Sequence, residues 1–193
     1  MRLASLSAAT LVAALVATTA ASAPVADDPK TMVLQLRDLP AGFARTSARY
    51  VSNTQANRES KVKKDYAKLG RVTGYEAIFQ KEATTGIINV NSSAGAYKTA
   101  RGARESFAIT MRAVEATREI RFRRLPLGAK IGQEARLYKA TVTENGIQVD
   151  LFTVAWRFDR VYAALTGGAL AGTANPTAVV ALARKQQARI AAG

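Results

Sequence analysis

Two tight turns in the last third of the chain constrain its fold more than any other feature. Glu134 to Thr143 reads as a strand, and Glu144-Asn145-Gly146 follows it. Asn-Gly between apolar runs is the strongest short-range hairpin signal, because both central residues of the favoured turn need φ > 0. Ile147 to Phe158 then alternates Val149, Leu151, Thr153, Ala155 and Arg157 against Asp150, Phe152, Val154, Trp156 and Phe158. Asp159-Arg160 turns the chain into a third strand, Val161 to Thr166. Strands joined by such short turns are antiparallel, since a parallel pair needs a crossover of about a dozen residues or more.

The same grammar recurs upstream. Tyr75 to Lys81 alternates Tyr75, Ala77 and Phe79 against Glu76, Ile78 and Gln80, and Thr85-Gly86 turns it into Ile87 to Asn91, which continues weakly towards Ala94. Phe43 to Tyr50 adds a further strand. Helical periodicity separates these units. Asp27-Asp28-Pro29 is a start signal of carboxylate cap and proline, and the short helix or extended segment it opens, through Met32, Val33, Leu34 and Leu36, ends at Leu39-Pro40. Asn53 or Thr54 caps a very polar helix expected to run to about Leu69, with Gly70 as its left-handed stop. Between Tyr97 and Thr117, Ala100, Ala103, Phe107, Met111 and Val114 recur at steps of three and four. Asn175-Pro176 caps a last helix, on which Val179, Leu182, Ala183, Gln186 and Ile190 share a face. Arg121 to Pro126 reads as a basic connector. No βαβ alternation occurs. The expectation is an α+β fold: an antiparallel sheet of five to six strands built from hairpins, with helices packed mainly on one face.

The N-terminus points to export. Arg2 precedes an uncharged run from Leu3 to Ala21, and Ala21-Ser22-Ala23 has the small-residue pattern of a cleavage site. Residues 1–23 are therefore read as a secretory signal, cut after Ala23 or Ala21, and residues 24–193 as one extracytoplasmic domain. The alternative is an uncleaved segment tethering the same domain. The run is too rich in Ala, Ser and Thr for a strong membrane span. The chain has no cysteine, so neither disulfides nor a lipidated cysteine enter the fold.

Most chemistry lacks its parts. With no His and no Cys, the usual neutral-pH base and the usual zinc, haem and copper ligands are missing. No phosphate-binding glycine loop is present, and no cofactor is expected. Ser60-Lys61-Val62-Lys63 matches Ser-x-x-Lys without its companion motifs, and reads as a solvated helix face. Glu76 and Asp150 could form a carboxylate pair only if the fold brought them together. Gly168 to Gly172 matches Gly-x-x-x-Gly in a stretch too short to span a bilayer, and Asn91-Ser92-Ser93 is a glycosylation sequon only in a eukaryotic secretory context.

Charge supplies the positive indication. The formal net charge is +14, or +13 once Arg2 leaves with the signal. Two local basic groups stand out. One is Arg58, Lys61, Lys63, Lys64, Lys68 and Arg71; the other is Arg118, Arg121, Arg123 and Arg124, interleaved with Ile120 and Phe122. Either can contact phosphate or carboxylate, and the second can equally guard a sheet edge. Trp156 with Phe152, Phe158 and Tyr162 reads first as core and second as the wall of an apolar cavity. Nucleic acid ranks below lipid or wall polymer, because stacking motifs are missing.

Leu36-Arg37-Asp38-Leu39-Pro40-Ala41-Gly42-Phe43, Val154-Ala155-Trp156-Arg157 and Leu182-Ala183-Arg184-Lys185-Gln186-Gln187-Ala188-Arg189-Ile190 together resemble uncharacterised secreted actinobacterial proteins with an LxDLPxGF start. A more distant similarity is to α+β proteins of the PsbP and Mog1 type. The resemblance implies export and an α+β fold, and carries no catalytic residues. The functional expectation is an exported non-enzymatic module that binds an anionic or amphiphilic envelope partner, whether lipid, wall polymer or protein. The alternatives are a secreted hydrolase using carboxylates or a Ser/Lys pair, and a structural envelope protein without a ligand.

Overall fold

The computed structural model describes residues 28–60, 62 and 64–193. The signal segment read at 1–23 lies outside them. The elements run α1 (Pro29–Met32), β1 (Ala44–Val51), α2 (Asn53–Glu59), β2 (Arg71–Gln80), β3 (Asn89–Tyr97), α3 (Ala100–Ala116), β4 (Arg123–Leu125), β5 (Glu134–Glu144), β6 (Ile147–Phe158), β7 (Val161–Leu170) and α4 (Pro176–Ala192). All seven strands form one antiparallel sheet in the order β1-β2-β3-β7-β6-β5-β4.

The hairpins follow the turn chemistry. Asn145 and Gly146 have φ values of 51° and 80°, and Asp159 has 47°. Two expectations need correcting. The sheet has seven strands, because Arg123–Leu125 pairs with Leu137–Lys139 as a short edge strand where a connector was expected. The helices also cover both faces. Along β6, Phe152, Val154 and Trp156 join the large core beneath α1 and α4, whereas Ala155 packs with Phe107 and Met111 of α3 on the opposite face. A twelve-residue strand with apolar residues at both parities calls for cover on both sides.

α2 also ends earlier than expected. Ser60 is its C-cap, and its hydroxyl bonds to Val62 across the break. Residues 65–70 form a separate turn, held by Asp65 Oδ1 accepting from the amides of Ala67 and Lys68. The expected helix through 69 would have kept its lysines in water; the break lets Lys64 turn inward.

The large core includes Trp156, Phe79, Val90, Leu165 and Val179, all fully buried. One polar device crosses it. Gln186 of α4 is buried; it accepts from Ser92 Oγ at 2.8 Å and donates to the Ser93 carbonyl at 3.0 Å, while Ser92 accepts from the Leu34 amide. A buried amide so satisfied fixes the register of α4 against β3. The segments 36–43 and 182–190 also meet: Arg189 Nε donates to Asp38 Oδ2 at 2.7 Å, and Lys185 Nζ to the Asp38 carbonyl at 2.7 Å. Two of the sequence segments singled out above are thus halves of one structural clamp.

Candidate functional site

On the α3 face, a pocket of about 260 Å³ opens between α2, the ends of β2 and β3, and Tyr162 of β7. Its floor begins with a pair of glycines. Gly74 and Gly95 are cross-strand partners, and together they leave a trough with no side chain. The Arg71 side chain lies in it: a Cβ on Gly74 would fall on Arg71 Nη2, and one on Gly95 would stand 3.1 Å from Arg71 Nε. Arg71 is only 8% exposed. Its Nη1 donates to the Val51 carbonyl and to Asn53 Oδ1, both at 2.9 Å. Nε and Nη2 have no hydrogen-bond acceptor among the described residues.

Lys64 enters the same region from the segment after α2. Its Nζ donates to Ser106 Oγ at 2.9 Å, to the Ser106 carbonyl at 3.3 Å and to Thr110 Oγ1 at 2.6 Å. Ser106 and Thr110 stand four residues apart on α3 and so share a face. The ammonium also lies 4.6 Å from the Tyr66 ring centre and 5.3 Å from that of Tyr162, within cation–π range. Tyr97 hydroxyl meets Ser106 Oγ at 2.6 Å. Gly102 lets α3 approach this segment, because a Cβ there would strike the Leu69 carbonyl.

The electrostatics are unusual for a surface of this kind. Among the described residues, no carboxylate lies within ion-pair distance of either Lys64 or Arg71. Burial, aided by the positive charge of Arg71, pushes the Lys64 pKa down to about 7. Burial also lowers Arg71, against the opposing pull of Tyr97 and Tyr66. Burial raises Tyr97 to about 12, and raises Tyr162 as well. Buried cations without a counter-charge are costly, and this protein places two side by side.

The rim carries the opposite sign. Glu59 of α2 and Glu76 of β2 line the pocket mouth. Arg49 of β1 bridges them, at 2.7 Å to Glu59 Oε2 and 2.6 Å to Glu76 Oε1.

The first basic group therefore splits. Arg58 is exposed beside Glu59 and Lys68 is exposed beside Asp65, Lys61 and Lys63 fall outside the described residues, and only Lys64 and Arg71 converge. Ser60 lines the pocket, but its Ser-x-x-Lys partner is Lys63. The second basic group sits at the far sheet edge, where Arg121, Arg123 and Arg124 line a notch of about 580 Å³ with Lys139 and Thr141. The apolar-wall reading of Phe152 and Trp156 is corrected: both are packed in the core, at 1% and 0% exposure. Phe158 instead borders a pocket of about 220 Å³ beside the C-terminal residue, and Tyr162 belongs to the cationic site. Glu76 and Asp150 point to opposite faces of the sheet; Asp150 is buried in an ion pair with Lys139 at 2.8 Å and accepts from the Gly172 amide. They form no catalytic pair.

Sequence reasoning passed over Tyr66, Tyr97, Ser106, Thr110 and Asn53. The hydroxyls at 106 and 110, towards the buried side of an amphipathic helix, were the legible signal. Among the described residues, no metal-binding group of acidic side chains exists and no helix is long and apolar enough to cross a membrane.

No protein-family model matches the chain, and no curated protein matches it. Among solved structures, it is similar to the extracellular domain of PknH from Mycobacterium tuberculosis, with a TM-score of 0.59 at 10% identity, over 84% of this chain and 94% of that one. At this identity the likeness shows a shared fold.

Proposed function

We propose that this protein is an exported, non-catalytic binding module whose ligand is a small anion seated on Arg71, in the field of the neighbouring Lys64. The carrying observation is the cation pair itself. Two desolvated positive groups, with no carboxylate partner among the described residues and with Arg71 Nε and Nη2 unused, suit an anionic ligand. Retaining them in a folded chain costs free energy, which a bound anion would offset.

Export is supported by the N-terminal sequence and by the fold shared with an extracellular domain. A non-catalytic role is supported by the geometry around Ser106. Lys64 and Tyr97 flank its hydroxyl as a base might, but Ser106 is fully buried in the body of α3. A substrate cannot reach it, and catalysis needs reach before it needs pKa. A second reading concerns the envelope surface. Arg121, Arg123 and Arg124 form no ion pair among the described residues, and the open notch they line suits lipid phosphate or an acidic wall polymer.

The test is calorimetry on the chain from Asp28 onward, with phosphate, sulfate and a set of short carboxylates. Binding that disappears in Arg71→Gln and persists in Arg123→Gln supports the Lys64–Arg71 site. Binding that Arg71→Gln leaves intact and Arg123→Gln abolishes refutes it in favour of the edge.

A further inference from the structure

The pocket is polarised along its depth. At the floor stands Arg71, with the Lys64 ammonium behind it, bonded to Ser106 and Thr110. At the mouth stand two carboxylates, Glu59 and Glu76, sharing one bridging guanidinium from Arg49. Arg58 approaches Glu59 more loosely at 3.6 Å, from an exposed position. Glu76 is the better placed of the two acids to meet a ligand. Its Oε1 accepts from Arg49, its Oε2 has no hydrogen-bond donor among the described residues, and its side chain is 20% exposed. Glu59, by contrast, spends both oxygens on Arg49.

The floor also has a definite shape. Arg71 is anchored through Nη1, so its remaining donors are Nε and the Nη2 group. These lie along one edge of the guanidinium, where a carboxylate docks side-on through two parallel hydrogen bonds. The glycine trough holds that edge flat against the sheet. Between floor and mouth run tyrosine rings, Tyr66 and Tyr162 among them. At about 260 Å³ the pocket is below the usual range for drug-sized ligands.

Resting on the anion-site reading above, we infer that the ligand is a small amino-carboxylate zwitterion, its carboxylate on the free Nε and Nη2 edge of Arg71, in the field of Lys64, and its ammonium turned towards Glu76 at the mouth. A plain anion would satisfy the floor and leave Glu76 Oε2 facing its own apolar or like-charged tail. A zwitterion satisfies both ends, and its separated charges match the order of charges in the wall.

The test uses the wild-type chain from Asp28 and a matched series of ligands. Straight-chain carboxylates of two to six carbons are titrated beside their ω-amino counterparts, from glycine to 6-aminohexanoate, with ethyl phosphate and phosphoethanolamine as a phosphate pair. The expected result is one amino-carboxylate binding at least tenfold tighter than its amine-free match. Glu76→Gln is expected to erase that advantage and leave the amine-free carboxylate unweakened. Amine-free members binding as tightly as their partners throughout overturn the zwitterion and leave the anion site standing. Phosphoethanolamine binding tighter than every amino-carboxylate overturns the carboxylate assignment and points to a lipid headgroup. An absence of any binding that differs between wild type and Arg71→Gln overturns both the inference and the reading beneath it.

Discussion

Replacing Lys64 by Met tests whether the site is held at a cost. The side chain keeps its length and apolar stem while the ammonium is removed. Burial and Arg71 bring the Lys64 pKa from 10.5 down to about 7, which at about 1.4 kcal/mol per pH unit makes the penalty on the order of 4 kcal/mol at neutral pH. Against this stand the hydrogen bonds that Lys64 makes, each worth about 1 kcal/mol net. Their loss strands nothing, because Ser106 Oγ keeps its bond to Tyr97 and the Thr110 hydroxyl still donates to the Ser106 carbonyl. With three such bonds the balance is a stabilisation of about 1 kcal/mol, or roughly 2–4 °C in Tm for a domain of this size. The pH dependence gives the sign a second check. A lysine whose folded pKa is lowered leaves the unfolded chain holding more protons between about pH 7 and 10.5. Wild-type stability from this group therefore rises with pH across that window, and the advantage of the variant shrinks from pH 7 to pH 9.5. Thermal melts at both pH values measure it. A Lys64→Met protein more than about 1 kcal/mol less stable than wild type at pH 7, or a difference that pH does not alter, would refute the reasoning.

The remaining predictions concern the same pocket and the two devices that hold the fold. Gly95→Ala crowds Arg71 Nε at 3.1 Å, so anion affinity should fall at least tenfold in calorimetry while the melting curve moves little. Anion binding should draw a proton onto Lys64, neutral in much of the empty protein above pH 7; affinity then weakens by up to about tenfold per pH unit above that point, and the binding heat differs between buffers of unlike ionisation enthalpy. Trp156→Ala removes the largest fully buried side chain and should cost about 3–5 kcal/mol in denaturant unfolding followed by circular dichroism. Asp38→Asn breaks the clamp to Arg189. Burial works to raise the Asp38 pKa, but the Arg189 and Gln35 hydrogen bonds together hold it below its ordinary value; the roughly 1 kcal/mol this contributes should be present at neutral pH and fade as pH falls through the acid range.

The parts of this molecule that were legible in the sequence are those governed by local chemistry. Asn145-Gly146 specified its turn because few other pairs accept positive φ at both positions, and Val179, Leu182, Ala183, Gln186 and Ile190 marked the buried face of α4 by spacing alone. The seventh strand was legible only as the sheet-edge reading of the second basic group, beside the connector reading, because three residues are too few to show a period; the second covering layer was missed because β6 is apolar at both parities. The site was hidden for a deeper reason. Arg71 and Lys64 stood in a run of basic residues that composition makes look uniformly solvated, yet one is drawn into a trough made by Gly74 and Gly95 and the other is turned inward by a helix that stops at Ser60. Nothing local distinguishes Lys64 from Lys68, which ends on the surface beside Asp65. What separates them is the pair of hydroxyls at Ser106 and Thr110, more than forty residues away. The proposed site, built from cations without counter-ions among the described residues, is therefore specified by long-range register. It becomes visible only when the structure shows which charges have been left without a partner.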